Sequence, residues 1–198
     1  MVKKKYYAVR VGKTPGIYES WDVCKDMIHG FPGAVYKSFP SRDEAEKFMN
    51  PQGELKTDES KAAFAFVDGS FNLPVKTYGF GGFLECDGKR YVLQGSGTDL
   101  EMAKMRNVAG EILGSMAAVK KALELGLPQV VIFYDYMGIE MWATGAWKRN
   151  KTGTIEYYEF MQEAKKKIQI SFQKVKGHSG VEGNELADKL AKEAVGIS

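Results

Sequence analysis

The amino-acid sequence predicts an α/β fold, a mixed β-sheet with flanking helices, preceded by a small ββαβα domain. Residues 62–71, 76–86 and 89–96 have the pattern of three strands joined by turns. An apolar helical stripe follows at about 102–125, and the uninterrupted apolar run 130–134 is typical of a buried strand. Three strands followed by alternating helices and strands indicate a mixed sheet with helices packed on it.

The same alternation continues to the end of the chain. The remaining predicted elements are helices near 136–142 and 154–167, a strand at 168–175 and a closing helix at 181–195.

The first fifty residues predict a separate small domain. Its predicted elements are strands at 6–11, 17–18 and 34–39 and helices at 21–28 and from residue 42 onward. Ser41 and Glu44 form the capping box of the second helix. The next stretch is polar and acidic, without periodicity, as a linker would be. The predicted boundaries are 1–50 for the small domain, 51–60 for the linker and 61–198 for the α/β domain.

Composition limits the function without deciding it. The chain of 198 residues is 44% hydrophobic and 27% charged, which is sufficient for a core, and its formal net charge is +3. The positive surplus lies in the two predicted domains, because residues 51–60 carry one basic residue against three acidic ones. A charge of this size permits an anionic partner such as nucleic acid without requiring one.

The cysteines and the N-terminus favour an ordinary intracellular protein. Cys24 and Cys86 fall in different predicted domains and form no CxxC pair, so neither a disulfide framework nor a zinc site is expected. The basic start is not followed by the apolar segment of a signal peptide, and no apolar run has membrane-spanning length. We expect a monomer in the cytoplasm with no membrane partner.

Four acidic residues stand where a fold of this type places its ligands. Asp68 ends the strand that begins at Phe64, and a carboxylate buried there requires a partner such as a cation. Asp135 follows the apolar run, Glu111 interrupts the stripe of the long helix, and Asp188 lies in the last helix. Taken singly each has a simpler interpretation: Asp135 as a helix cap, and Glu111 and Asp188 as helix-surface acids.

A histidine supplies a second signal. His178 lies on a loop between glycines just before the last helix, and its simpler interpretation is an exposed loop residue. His29, the other histidine, precedes a glycine and fits the C-terminal end of a helix, where the dipole favours it.

These motifs together resemble one family. Phe66-Val67-Asp68-Gly69-Ser70, Asn107-Val108-Ala109-Gly110-Glu111, Tyr134-Asp135-Tyr136 and Gly177-His178-Ser179-Gly180, followed by Asn184 and Asp188, are similar to the motifs of type 1 ribonuclease H, in the same order. The resemblance covers residues 62–195. It implies a ribonuclease H-like mixed five-stranded sheet with flanking helices, and hydrolysis of the RNA strand of RNA–DNA hybrids to leave 5′-phosphate and 3′-hydroxyl ends.

The resemblance also implies a site. Asp68, Glu111, Asp135 and Asp188 would hold two Mg²⁺ ions, for which Mn²⁺ can substitute, and His178 would act as an auxiliary base or in product release. Four carboxylates suit hard cations, and without metal their mutual repulsion would raise at least one pKa.

Selection of RNA is expected from contacts to 2′-hydroxyl groups. The resemblance assigns substrate binding to Gly69, Ser70, Asn107 and Asn184, with the absence of a side chain at Gly69 allowing the RNA strand to approach. A turn glycine and a polar residue at a helix start are the simpler interpretations of Gly69 and Asn107.

The first domain has a resemblance of its own. Residues 5–49 are similar to the hybrid-binding domain that precedes some ribonuclease H catalytic domains. Tyr7 and Trp21 would pack on sugars of the DNA strand, with Tyr36 and Lys37 along its backbone. The alternative is that these aromatic residues form the core of a small domain. Weak binding of double-stranded RNA through this domain is a further expectation.

Two rival functions remain open at this point. A nuclease or integrase of the same fold could act on DNA, and a non-catalytic hybrid-binding protein could retain a relic enzyme domain. The full set of acids together with His178 argues against the relic.

Overall fold

The computed structural model describes residues 5–49, 63–175, 177 and 181–197. The chain divides into two compact units, Met1–Lys56 and Thr57–Ser198. The predicted fold class is confirmed, since the first unit holds a three-stranded sheet with helices and the second a mixed five-stranded sheet with flanking helices.

The first unit has the predicted ββαβα order. Its elements are β1 (Tyr6–Val11), β2 (Gly16–Tyr18), α1 (Trp21–Ile28), β3 (Val35–Phe39) and α2 (Arg42–Met49). The central strand β1 pairs with β2 and β3, both antiparallel. Its buried core is made of Ala8, Val9, Cys24, Val35 and Ala45. These side chains are small, so the large aromatic residues of this unit lie outside the fully buried set.

The second unit contains three consecutive strands and then alternating helices and strands. Its elements are β4 (Phe64–Asn72), β5 (Thr77–Cys86), β6 (Lys89–Gly97), α3 (Leu100–Ala103), α4 (Asn107–Glu124), β7 (Gln129–Tyr134), α5 (Gly138–Ala143), α6 (Thr152–Ala164), β8 (Gln169–Lys174) and α7 (Glu182–Ala194). The strand order is β6-β5-β4-β7-β8, with the first three strands antiparallel and β4, β7 and β8 parallel.

The turn between β5 and β6 is a two-residue hairpin. Asp87 and Gly88 both have positive φ angles, of 49° and 71°. Positive φ at both positions is the conformation that matches the twist of the flanking strands, and aspartate followed by glycine adopts it readily.

Helix α4 lies against one face of the sheet at positions that have no side chain. A Cβ atom added to Gly69 would lie 2.1 Å from the carbonyl oxygen of Asn107. Helix α7 lies against the opposite face, where a Cβ atom added to Gly81 would lie 2.0 Å from the nitrogen of Ala191. Gly81 pairs with Asp68, so Asp68 shares the α7 face while its neighbour Gly69 faces α4.

One predicted helix differs from the structure. The stretch predicted as a single helix from about residue 102 is divided into α3 and α4, because Arg106 has φ 53° and ψ −131°, which no α-helix accommodates. Asp99 caps α3 by accepting a hydrogen bond from the Met102 amide at 2.9 Å. The division makes Asn107 the first residue of α4.

Across the parts of the chain that the structure describes, none of the helices combines the length and the apolar character needed to span a bilayer.

Candidate active site

Asp68 and Asp135 occupy equivalent places on neighbouring parallel strands. The ladder between β4 and β7 ends at the pair Phe66 and Phe133, whose rings stack with centroids 4.5 Å apart. Each aspartate lies two residues beyond its phenylalanine and therefore continues along the same face. The Asp68 Oδ1 atom accepts a hydrogen bond from the Gly69 amide at 2.7 Å. Both carboxylates thus lie just beyond the end of the parallel β4–β7 ladder, where α/β folds bind ligands. Asp68 does not end its strand as the sequence predicted, because β4 continues to Asn72.

Glu111 reaches the same point from α4. Its side chain is buried, with an exposed fraction of 3%, and ligand oxygens of Asp68, Glu111 and Asp135 all lie within 4.8 Å of one another. Burial, and then the charges of Asp135 and Asp68, raise the pKa of Glu111 to about 9. The Asn107 side chain opposes this shift by donating a hydrogen bond to Glu111 Oε1 at 3.3 Å.

These three carboxylates fit a divalent metal. Oxygen ligands in a compact group are what hard cations such as Mg²⁺ prefer. Burial first, and then the charges of Asp135 and Asp68, raise the pKa of Glu111 and so disfavour its ionised form in the absence of a cation. The residues brought together are therefore suited to hold a cation, which would favour the ionised form of Glu111.

Asp188, the fourth predicted acid, does not belong to this compact group among the residues that the structure describes. Its Oδ2 atom accepts a hydrogen bond from Lys192 Nζ at 2.7 Å, one turn further along α7. The contact raises the pKa of Lys192. Asp188 instead lines an adjacent groove, so its role as a metal ligand stays a prediction.

Asp135 also lies beside Gly177, the residue that precedes His178 in the sequence. A Cβ atom added to Gly177 would lie 2.7 Å from Asp135 Oδ2, so this position has no room for a side chain while the carboxylate keeps its place. His178 itself lies outside the described residues. The interpretation of Asp135 as a helix cap is wrong, since α5 begins at Gly138 and its N-cap residue is Met137.

A groove of about 410 Å³ runs beside the acids. Its lining includes the predicted substrate residues Gly69, Ser70 and Asn107, together with Phe71, Leu73, Arg106, Asp188 and Lys192. The close contact of Gly69 with Asn107 gives the glycine a structural reason, namely the packing of α4. The packing of α4 therefore explains the glycine at position 69, and the predicted approach of an RNA strand is not needed to explain this residue.

Asn184 is placed differently from the other predicted substrate residues. Its exposed fraction is 3%, and its Oδ1 atom finds no hydrogen-bond partner among the described residues. A substrate contact by this side chain stays a prediction.

A second cavity escaped prediction from the sequence. It has a volume of about 340 Å³ and lies at the start of α4, beside Asn107 and Tyr136. Four cationic side chains and two aromatic rings are part of its lining: Lys104, Arg106, Lys148, Lys151, Tyr136 and Trp142. The sequence signal for this cavity was the cluster of Trp147, Lys148, Arg149 and Lys151. Lys148 and Lys151 line the cavity, whereas the Arg149 guanidinium lies 4.1 Å from the ring centre of Tyr158.

In the first unit the three predicted aromatic residues form one cluster. The ring centres of Tyr7 and Trp21 are 5.5 Å apart, and those of Trp21 and Tyr36 are 6.0 Å apart. Trp21 is 42% exposed and Tyr36 is 45% exposed, so the cluster is not the buried core of the unit. Lys37 is exposed, with its ammonium 5.7 Å from the ring centre of Phe39. Partly exposed rings, contributed by the sheet and by α1, suit packing on the sugars of a nucleic acid.

These features define a class of protein: an α/β chain with a group of carboxylates suited to a metal ion, beside a groove and a cationic, aromatic cavity. Comparisons with known proteins identify the family within this class. A family model described as RNase H matches residues 60–196, and one described as Ribonuclease H1 N-terminal domain matches residues 5–49. The chain belongs to the ribonuclease H family, whose members are metal-dependent enzymes that cleave RNA in RNA–DNA hybrids.

Individual relatives agree with this assignment. Ribonuclease H1 of Rattus norvegicus is 28% identical over 256 residues, which cover 95% of this chain and 88% of the relative. Ribonuclease H of Brucella anthropi is 30% identical over 139 residues, which cover 66% of this chain and 88% of the relative.

Solved structures share the fold of the second unit. RNase H1 from the archaeon Halobacterium salinarum NRC-1 has a TM-score of 0.54 at 24% identity, covering 67% of this chain and 96% of that one. LC11-RNase H1 in complex with an RNA/DNA hybrid has a TM-score of 0.53 at 14% identity, covering 67% of this chain and 98% of that one.

Proposed function

We propose that this chain is an endoribonuclease that hydrolyses the RNA strand of RNA–DNA hybrids by a two-metal-ion mechanism. The observation that carries the proposal is the convergence of Asp68, Glu111 and Asp135, within 4.8 Å of one another, in a chain of the ribonuclease H family. The groove and the cavity on either side of Asn107 offer room for two nucleic-acid strands beside these acids.

Mg²⁺ is the proposed cofactor, with two ions per site and Mn²⁺ able to substitute. Asp68, Glu111 and Asp135 would hold the ions, with Asp188 completing the set. When bound, the ions neutralise the acids, activate water and stabilise the leaving oxygen. Asn107 keeps Glu111 in place through its hydrogen bond, and the burial of Glu111 excludes water from that side of the site.

The proposed reaction breaks the bond between phosphorus and the 3′-oxygen. The oxygen of a water molecule bonds to phosphorus and the water loses a proton, while the 3′-oxygen departs and takes up a proton. The products are a 5′-phosphate and a 3′-hydroxyl. His178, the residue after Gly177 in the sequence, is proposed as the auxiliary base or as the residue that promotes product release.

The RNA strand and the DNA strand are proposed to bind on opposite sides of Asn107. Ser70, Asn107 and the backbone of Gly69 would contact 2′-hydroxyl groups of the RNA strand. The cationic, aromatic cavity would receive the backbone of the DNA strand, because phosphates pair with Lys104 and Lys148 and sugars pack on rings.

The first unit is proposed to bind the same hybrid. The match to the Ribonuclease H1 N-terminal domain and the exposed cluster of Tyr7, Trp21 and Tyr36 support this role, with Lys37 near the phosphates. We further propose that this unit binds double-stranded RNA weakly, and that the protein acts as a cytoplasmic monomer.

Cleavage of matched duplexes tests the function directly. With Mg²⁺, the wild-type protein should cut the RNA strand of a hybrid and leave double-stranded RNA and double-stranded DNA intact. Asp68→Asn should lose activity by two orders of magnitude or more, whereas the control Asp87→Asn, in the hairpin turn, should not. Unchanged cleavage by Asp68→Asn, or equal cleavage of double-stranded DNA, would contradict the proposal.

A further inference from the structure

We infer that Glu140 is a positioning residue for Asp135 and acts through the side chain of Tyr134. The inference rests on the proposed function, because it assigns a role to residues that support one of the proposed metal ligands.

The contact is short and buried. The Tyr134 hydroxyl donates a hydrogen bond to Glu140 Oε2 at 2.5 Å, and the exposed fractions of the two residues are 1% and 5%. A tyrosine bound to a carboxylate in a dry interior makes a charge-assisted hydrogen bond, which is stronger than a neutral one. Tyr134 is the last residue of β7, and Asp135 is the next residue along the chain.

This hydrogen bond closes a very short loop. Only Asp135, Tyr136 and Met137 connect β7 to α5, and Glu140 lies in the first turn of α5. The bond therefore links the residue before Asp135 to the helix that follows it. With both ends of the loop joined, the backbone of Asp135 has little freedom to move relative to Asp68 and Glu111.

The helix that carries Glu140 is itself held firmly. The Tyr157 hydroxyl donates to the carbonyl oxygen of Ile139 at 3.1 Å, and Lys165 Nζ donates to that of Ala143 at 3.0 Å. Both donors lie in or next to α6. Contacts with α6 thus hold the helix that carries Glu140, and Tyr134 is hydrogen-bonded to this residue.

Stability alone does not account for a glutamate at this place. A carboxylate buried in a core is costly, and an apolar side chain of similar volume would stabilise the fold as well or better. Burial lowers the pKa of Lys165 and the charge of Glu140 opposes that change, so Lys165 offsets part of the cost. What the carboxylate adds is a directional contact to the strand end that presents Asp135.

The test compares three variants of the full chain. Tyr134→Phe removes the donor, Glu140→Gln keeps an oxygen acceptor, and Tyr78→Phe is the control that removes a buried tyrosine hydroxyl on β5, outside α5 and α6. Mg²⁺ binding is measured by calorimetry without substrate, and hydrogen exchange of the Tyr136 and Met137 amides is measured by NMR in the metal-free protein.

Tyr134→Phe should weaken Mg²⁺ binding by about 10-fold, the low end of the range for residues that orient metal ligands. It should also speed exchange at both loop amides and lower kcat with little change in the KM for hybrid. Glu140→Gln should lose less than Tyr134→Phe. Tyr78→Phe should leave Mg²⁺ affinity and loop exchange as in the wild type.

The outcomes separate this inference from the proposed function. If the wild type binds Mg²⁺ and cleaves hybrid while Tyr134→Phe matches it in affinity and exchange, the positioning role is overturned and the proposed function stands. Equal losses in Tyr134→Phe and Tyr78→Phe would reduce the contact to a structural one. A wild type that neither binds Mg²⁺ nor cleaves hybrid overturns both.

Discussion

The backbone of Gly110 lies so close to that of Gly79 that a Cβ atom added to Gly110 would be 1.9 Å from the Gly79 carbonyl oxygen. Gly110 precedes Glu111 in α4, and Gly79 lies in β5. Because Gly110 has no side chain, α4 packs directly on β5. This close packing brings the Glu111 carboxylate near that of Asp68. The active-site geometry thus depends on a contact between two backbones.

Gly110→Ala should therefore damage the metal site as well as the fold. The helix must move away from the sheet, and overpacking of this kind costs roughly 1–3 kcal/mol of unfolding free energy. Mg²⁺ affinity should fall with it. Gly114→Ala is the control on the same helix, since its Cβ would meet Phe80 at 3.2 Å, and it should change stability by less than about 1 kcal/mol. Urea unfolding measures the stability of each variant, and calorimetry measures its Mg²⁺ affinity. Equal losses in Gly110→Ala and Gly114→Ala would contradict the role given to the contact between Gly110 and Gly79.

The raised pKa of Glu111 predicts how stability depends on pH. In the folded, metal-free protein its pKa is about 9 against an ordinary value of 4.5, so the folded state holds a proton that the unfolded state releases. The stabilising contribution is complete below the ordinary pKa and is lost as the pH rises towards 9. The slope from one proton is at most about 1.4 kcal/mol per pH unit.

Urea unfolding between pH 5 and 9 with EDTA tests this dependence. The unfolding free energy of the wild type should fall relative to that of Glu111→Gln, which keeps the amide but cannot ionise. Mg²⁺ should reduce the fall, because a cation favours the ionised carboxylate and its binding releases a proton. Parallel curves for the two proteins would show that Glu111 does not titrate in this range.

The sequence was sufficient to place two of the acids on strands, whereas their convergence was implied by the resemblance to ribonuclease H. Asp68 lies in a strand with a strong local pattern and Asp135 directly follows another, but only the structure shows that the two strands are parallel neighbours. Glu111 was placed by resemblance, since a helical stripe gives the face of a residue but not its distance from the sheet. That distance follows from Gly69 and Gly110, whose close contacts exist only in the folded chain.

Other parts of the site could not be predicted because they join distant segments. The cationic, aromatic cavity combines Lys104 and Arg106, before α4, with Lys148 and Lys151, before α6. No local pattern states that these two helix starts lie together. The positive φ angle of Arg106 could not be predicted either, because arginine has no intrinsic preference for that conformation.

The aromatic cluster of the first unit should contribute to binding and little to chemistry. Trp21→Ala removes the ring between Tyr7 and Tyr36, and loss of one stacking platform should weaken hybrid binding by about 1 kcal/mol, or roughly 5-fold. The KM for long hybrids should rise while kcat is unchanged. Val23→Ala, 45% exposed on the same helix, is the control. Circular dichroism establishes that both variants are folded, and a loss of kcat in Trp21→Ala would contradict a binding role.

Lys148 should contribute to hybrid binding through phosphate charge, which makes its effect dependent on salt. A lysine that neutralises one phosphate releases about one counterion, so Lys148→Ala should reduce the slope of log affinity against log salt concentration by about 1. Lys166→Ala is the control, because that lysine is 67% exposed, pairs with Glu163 and lines neither the groove nor the cavity. Fluorescence anisotropy of a labelled hybrid with the full chain and EDTA, from 50 to 300 mM salt, measures both slopes. An unchanged slope for Lys148→Ala would remove this residue from the strand-binding surface and leave the aromatic rings of the cavity as its contribution.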